Sequence, residues 1–341
     1  MRVGWVYDPR YLEHDTGRHP ENAKRLEAIV EHLQGIGLFE TTRRIAGEPA
    51  TRRDVERIHT SAMLHRLQHL AETGGGYLDI DTAIGPRSYD VALLAAGGAI
   101  AATRAVIDAS VQGAYALTRP PGHHATPTHS MGFCLLNNIA IAAAWALDYG
   151  DIERLAIVDI DVHHGNGTQD SFESDPRVLY ISLHQYPHYP GTGHWRDTGR
   201  GEGKGTCINI PLPPQTGDSG YAAAFERLVE PALVRFHPQL ILVSAGYDAH
   251  WADPLAWMLL SVSGYRRIVD ILVRAARNLC RGRIVFVLEG GYHPDSLVHG
   301  VATTFSAMLN TPYDDVWGPA GEPESRVDDI LTRIARHHGL A

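Results

Sequence analysis

The chain has 341 residues, 44% hydrophobic and 20% charged, an ordinary balance for a globular protein with a large buried core. Its net charge of -9 argues against a general nucleic-acid binder but leaves a cationic substrate open, because an acidic surface attracts cations. The 3 cysteines form no CxxC pair, which speaks against a thiolate zinc site or a disulfide framework.

The chain begins MRVGWVYDPR, without an apolar signal region, and no run approaches the ~18 apolar residues of a membrane span. No membrane partner and a cytoplasmic location are therefore expected. Histidine is over-represented at 20 residues; His337 and His338, near the polar C-terminus, read as solvated, whereas the clustered ones need a chemical explanation.

In chain order, residues 3–7 read as a strand, 21–34 and 88–109 as helices, and 114–118 as a second strand. A helix over 138–147 precedes strands at 155–159 and 178–183, and a helix at 221–236 precedes a strand at 240–244. A helix at 264–279 and a strand at 284–288 complete the series. Continuous apolar runs fit strands buried on both faces, and their alternation with helices predicts a doubly wound α/β fold with a mostly parallel sheet. Pro- and Gly-rich stretches at 186–205 and 211–220 read as long loops. Nothing divides the chain, so a single domain over 1–341 is expected, with 312–341 as a C-terminal tail segment that could serve a homo-oligomer or be solvated.

Four of these strands end in chemistry-bearing residues: Arg119-Pro-Pro-Gly-His123-His124, Asp159-Ile-Asp161-Val-His163, Ser244-Ala-Gly-Tyr-Asp248 and Glu289-Gly-Gly-Tyr292. Open α/β sheets bind ligands beyond the carboxyl ends of their strands. Asp161 and His163 alternate on an extended segment and so face the same side. With Asp248 they make an oxygen, nitrogen, oxygen set suited to a catalytic zinc with an open position for water. The plain alternative is a capped turn with a satisfied core histidine. His123 and His124 suit proton transfer near neutral pH, with Asp159 and Asn166 available to fix their tautomers. Tyr292, after two glycines, is placed to donate a hydrogen bond to an oxyanion.

These stretches, with HPENAKR (19–25), GFCLLNN (132–138), VLYISLHQY (178–186) and LVSAGYDAHWADPL (242–255), resemble the zinc-dependent histone deacetylase superfamily. The likeness is closest to its class II branch, including bacterial histone deacetylase-like and acetylpolyamine amidohydrolases. It implies an arginase/deacetylase-like fold with helices on both faces of the sheet, and hydrolysis of an N-acetyl-lysine-type acetylamide. In this reading Asp161, His163 and Asp248 hold Zn2+, His124 shuttles the proton, His123 supports it electrostatically, and Tyr292 polarises the carbonyl. It also implies K+ at Asp159, Asp161, His163, Ser182 and Leu183, and a second K+ at Phe172, Asp175 and Val178. The substrate-binding positions implied are Asp81 at the rim, Gly132, Phe133, Tyr189 and Leu255 along the channel, and Arg25 lining a cavity behind the metal. Asn166 stands where class I carries aspartate, and Tyr189 where a phenylalanine is usual.

Three rivals bear on this reading. An acetylpolyamine amidohydrolase shares every catalytic residue. A dimanganese ureohydrolase needs a carboxylate where this chain has Gly165. A non-catalytic acetyl-group binder is expected to have lost Tyr292 or a ligand, and all are present.

Overall fold

The structure, a computed structural model, describes residues 1–149 and 152–340; Ala341, at the end of the expected C-terminal segment, lies outside the described residues. Its strands are β1 (Val3–Val6), β2 (Arg43–Arg44), β3 (Gly76–Tyr77), β4 (Ala83–Ile84), β5 (Gly113–Ala116), β6 (Leu155–Asp159), β7 (Val178–Gln185), β8 (Cys207–Leu212), β9 (Ile241–Ala245) and β10 (Ile284–Leu288). Eight form one sheet in the order β2-β1-β5-β10-β9-β6-β7-β8, every pairing parallel, while β3 and β4 make a separate antiparallel pair.

The two-residue period of a strand divides the core between the faces of the sheet. Ala114, Ala116, Leu155, Ile157, Leu242, Val285 and Val287 pack with helices Ser88–Ile107 and Asn138–Asp148. Their neighbours Tyr115, Ala156, Val158, Ile241, Val243, Phe286 and Leu288 pack on the other side with helices Ala23–Gly35, Val262–Leu279 and Pro294–Leu309. Burial on both faces explains why the central strands read as unbroken apolar runs. Helix Ser88–Ile107 is long and apolar enough to cross a membrane by length and composition, but it packs within the first of these cores.

All six expected strands are present. The sequence pattern missed β8, because Pro211 and the polar residues around it read as the start of a loop; at the sheet edge a missing N–H costs no ladder bond. The expected helix at 221–236 is interrupted by a π turn at Phe225–Val229, just before Pro231, which has no N–H to continue the ladder. Helices Ser61–Glu72, Pro294–Leu309 and Asp328–His338 were not anticipated. The last lies in the segment expected as a tail, where Leu331 and Ile334 are fully buried and Glu324 accepts hydrogen bonds from Ser219 and Gly220. His337 is exposed as expected, with its ring edge-on to Trp195, whereas His338 is half-buried.

One buried charge cluster ties the N-terminal segment to the strand ends. Glu21 accepts two bonds from Arg119, at 2.7 and 2.9 Å, and one from Arg25 at 3.2 Å. All three side chains are nearly inaccessible. Removing one partner of a buried pair leaves an uncompensated charge, which costs about 3–5 kcal/mol. Glu21→Ala is therefore expected to lower unfolding free energy by about that amount in urea titration; an unchanged midpoint would show that the cluster does not hold the segment.

Candidate active site

The four strands with polar ends, β5, β10, β9 and β6, are consecutive in the sheet. Their loops therefore converge over its centre. Asp161, His163 and Asp248 present ligand atoms within 4.8 Å of one another. His163 Nδ1 lies 3.1 Å from Asp161 Oδ1 and 3.2 Å from Asp248 Oδ2. Both carboxylates are fully buried, and backbone N–H groups hold them: His163 and Gly290 donate to Asp161, and Val162 donates to Asp248, each at 2.9 Å. Among the described residues no arginine or lysine pairs with either. Two buried carboxylates without a fixed cation are costly, and their donor set with one imidazole fits a zinc ion.

Missing side chains make room for this arrangement. A Cβ on Gly246 or Gly290 would collide with the Asp161 carboxylate, and one on Gly290 also with Asp248. At Gly165 a Cβ would run into Asp159, 2.6 Å from the Tyr180 hydroxyl and 3.1 Å from His123 Nδ1. No side chain fits there, so a second-metal carboxylate at that position is excluded sterically as well as by sequence.

The paired histidines lie beside the ligands, ring centroids 4.0 Å apart and planes tilted by 42°, with the His124 ring centroid 6.0 Å from that of His163. His123 Nδ1 meets Asp159 Oδ2 at 3.0 Å, and His124 Nδ1 meets Asn166 Oδ1 at 2.8 Å. The partners differ in charge, and the rings respond oppositely. Burial works against the charged form of His123, but the carboxylates of Asp161 and Asp159 outweigh it and raise its pKa well above the ordinary value. His124 is driven well below by burial and by its neighbours His123 and His163.

Tyr292 lines the same cavity with its phenol protonated, since burial raises its pKa well above the usual value. Its backbone N–H donates to Asp253 Oδ2 at 2.6 Å, while Asp253 Oδ1 accepts from Leu255 N–H at 3.0 Å. Asp253 thus links Tyr292 to the channel rim. Glu289 accepts from Gly122 and His123 N–H, at 2.6 and 3.2 Å, and fixes the loop that carries the histidines. Its pKa is pushed up to about 7, burial outweighing the opposing pull of His123 and the Gly122 N–H. The sequence reading gave neither acid a role; both sit inside quoted motifs, but their partners are distant in sequence. Arg25, expected at a cavity behind the metal, is not among the residues that line the channel. It donates to the Gly291 and Glu289 carbonyls at 2.7 Å each and lies over the Tyr292 ring, a brace behind the site.

Above the ligands a cavity of about 220 Å³ is lined by Asp81, His124, Gly132, Phe133, His163, His188, Tyr189, Leu255 and Tyr292. Every expected channel residue is there, together with His188, which sequence reasoning missed. Gly132 and Phe133 both have positive φ, +58° and +68°. Asp159 and Ser182, two of the residues expected around the first potassium, are register partners across β6 and β7. Phe172, Asp175 and Val178 form one turn linked by Asp175 N–H to the Phe172 carbonyl at 2.9 Å and Val178 N–H to the Asp175 carbonyl at 3.3 Å.

Gly132 forms the throat of the channel: a Cβ there would stand 2.5 Å from the His124 ring and 2.9 Å from the Tyr189 hydroxyl. Gly132→Ala is expected to cut kcat/KM on any acylamide at least about tenfold while metal content stays that of the wild type. Full turnover in this variant would mean that the substrate enters elsewhere.

A profile of the histone deacetylase domain matches residues 19–308. The chain is 45% identical to a probable deacetylase of Archaeoglobus fulgidus over 337 residues, covering 98% of this chain and 92% of the relative. It is 43% identical to a histone deacetylase-like amidohydrolase of Pseudomonas aeruginosa over 290 residues, covering 85% and 75%. The solved HD domain of HDA15 superposes with a TM-score of 0.90 at 33% identity, covering 99% of this chain and 96% of that one. With the arginase/deacetylase fold and these likenesses in hand, the chain belongs to the histone deacetylase family and is an amidohydrolase of the deacetylase type.

Proposed function

We propose that the protein hydrolyses an N-acetylated alkyl amine to the free amine and acetate, with zinc held by Asp161, His163 and Asp248. The acetyl-lysine side chain serves as the reference substrate. The observation that carries this reading is the convergence of the His123–His124 pair and the Tyr292 phenol on one cavity over three buried ligands.

When bound, zinc supplies Lewis acidity toward the acyl carbonyl and makes a water acidic enough to act near neutral pH. The chain does the rest. His124, neutral and held by Asn166, takes the proton of the attacking water through Nε2 and returns it to the departing amine nitrogen. His123, kept cationic by Asp159, offsets the negative charge that develops beside it. Tyr292 donates its O–H to the acyl oxygen as that oxygen becomes anionic, and Asp253 and Arg25 hold the tyrosine in place. Phe133 and Tyr189 exclude water from the stem. Potassium at the residues around Asp159 and Ser182, and at the Phe172 turn, belongs to the same proposal; bound near Asp159, it would compete with His123 for that carboxylate's charge.

A second reading, an acetylated polyamine as substrate, is favoured by Asp81 in the cavity wall with Asp79 beside it. Acetate release from an acetyl-lysine peptide and from a monoacetylated polyamine tests the reaction directly. Tyr292→Phe is expected to lose about 10²–10³-fold in kcat, the usual cost of one oxyanion donor, without losing metal. The wild type should contain one zinc per chain, lose activity on chelation and recover it on adding zinc. Unchanged turnover after complete metal removal, or in His124→Ala, would refute the mechanism.

A further inference from the structure

The free hydrogen-bonding capacity of the channel wall is unusual for a passage that takes a methylene stem. Tyr189 stands edge-on to His124, centroids 5.1 Å apart at 88°, with its hydroxyl over Gly132. No protein group among the described residues hydrogen-bonds that hydroxyl. His188 stacks on His163 at 5.0 Å; its Nε2–H donates to the Leu255 carbonyl at 2.9 Å, which leaves Nδ1 an acceptor without a protein partner among the described residues. Asp81 Oδ1 is buried without a hydrogen-bond partner, and neither Asp79 nor Asp81 forms an ion pair among the described residues. The unused groups from rim to throat are a carboxylate oxygen, a ring nitrogen and a hydroxyl. All three accept; only the hydroxyl also donates.

A stem made only of methylenes would strip water from Tyr189 Oη and His188 Nδ1 and return nothing, which costs each group its lost hydrogen bonds. A protonated secondary amine in the stem carries two N–H donors and a positive charge. It matches both acceptors, and the faces of Phe133 and Tyr189 add attraction for a cation. We infer that Tyr189 and His188 form a specificity-determining pair that selects acetylamides with a protonated secondary amine inside the channel, the acetylated polyamines, over stems that are methylene throughout. This rests on the amide-hydrolase reading above and narrows its substrate class.

Two probes isolate the effect. Spermidine monoacetylated on its aminopropyl end and monoacetylated 1,8-diaminooctane have equal length and the same terminal ammonium; one chain atom changes from NH2⁺ to CH2. A charge-assisted hydrogen bond made by one and not the other predicts a kcat/KM ratio of about tenfold or more for the wild type. Tyr189→Phe and His188→Phe should each pull that ratio toward one, chiefly through KM, and the double variant further. Because the readout is a ratio within each protein, a general loss of activity or stability in a variant cancels. A wild-type ratio near one, or a ratio that survives both substitutions, would overturn the inference while leaving amide hydrolysis standing. Hydrolysis of neither probe nor of an acetyl-lysine peptide by the zinc-loaded wild type would instead overturn the function itself.

Discussion

Four carboxylates, Asp159, Asp161, Asp248 and Glu289, are buried completely at the ends of three adjacent parallel strands, and the rest of the site follows from keeping them there. Each is costly to desolvate. The loops answer with backbone N–H groups: to Asp161 from His163 and Gly290, to Asp248 from Val162, to Asp159 from Asp161, and to Glu289 from Gly122 and His123. Such close approach of backbone to carboxylate is why Gly246 and Gly290 carry no side chain. Hydrogen bonds alone leave net negative charge. The His123 imidazole offsets part of it, and in the proposed function a divalent cation at Asp161, His163 and Asp248 would balance more. In the proposed function, metal binding and the electrostatics of the histidine pair are therefore one problem solved with one set of residues.

The two histidines show how a single charge difference sets roles. Both rings are buried and both use Nδ1 toward an oxygen, one to the carboxylate of Asp159 and the other to the amide of Asn166. A carboxylate stabilises the imidazolium, whereas an amide only orients the ring. Adjacent positions in the chain thus receive opposite protonation tendencies, and the second cation is disfavoured further because the first stands 4.0 Å away. These opposite tendencies suit the proposed roles, an electrostatic partner in His123 and a neutral base in His124.

Much of this was legible in the sequence, for a physical reason. Buried parallel strands are continuous apolar runs, so their ends are conspicuous, and a ligand site built on strand ends announces itself as polar residues directly after those runs. Asp161, His163, Asp248, His123, His124 and Tyr292 were all found that way. What escaped depends on contacts between distant loops. Nothing near Asp253 predicts that its carboxylate receives the Tyr292 N–H, and Glu289 looks like part of a turn until Gly122 is seen against it. Nor does the sequence show that the Arg25 guanidinium, expected at a cavity behind the metal, bonds the Gly291 and Glu289 carbonyls and Glu21. β8 was lost to Pro211, which only an edge position tolerates, and helix Asp328–His338 to a polar composition whose apolar face is just Leu331, Ile334 and Ala335.

The division between what the strands and the loops contribute has a consequence for how such a site diversifies. The residues proposed to hold metal and move protons are anchored to β5, β6, β9 and β10, where any shift would disturb several buried charges at once. The channel wall is different. Tyr189 and His188 come from the long segment between β7 and β8, Asp81 from the turn joining β3 and β4, and Leu255 from the loop after β9. The segments carrying Tyr189, His188 and Asp81 hold none of the proposed ligands or proton-transfer groups, whereas Leu255 shares the loop after β9 with Asp248. A hydroxyl or an imidazole can replace an apolar ring there without touching the charge balance below, because Gly132 keeps the throat open whatever stands opposite. In this reading the buried charges hold one another in place, and the proposed choice of substrate falls to side chains outside that network.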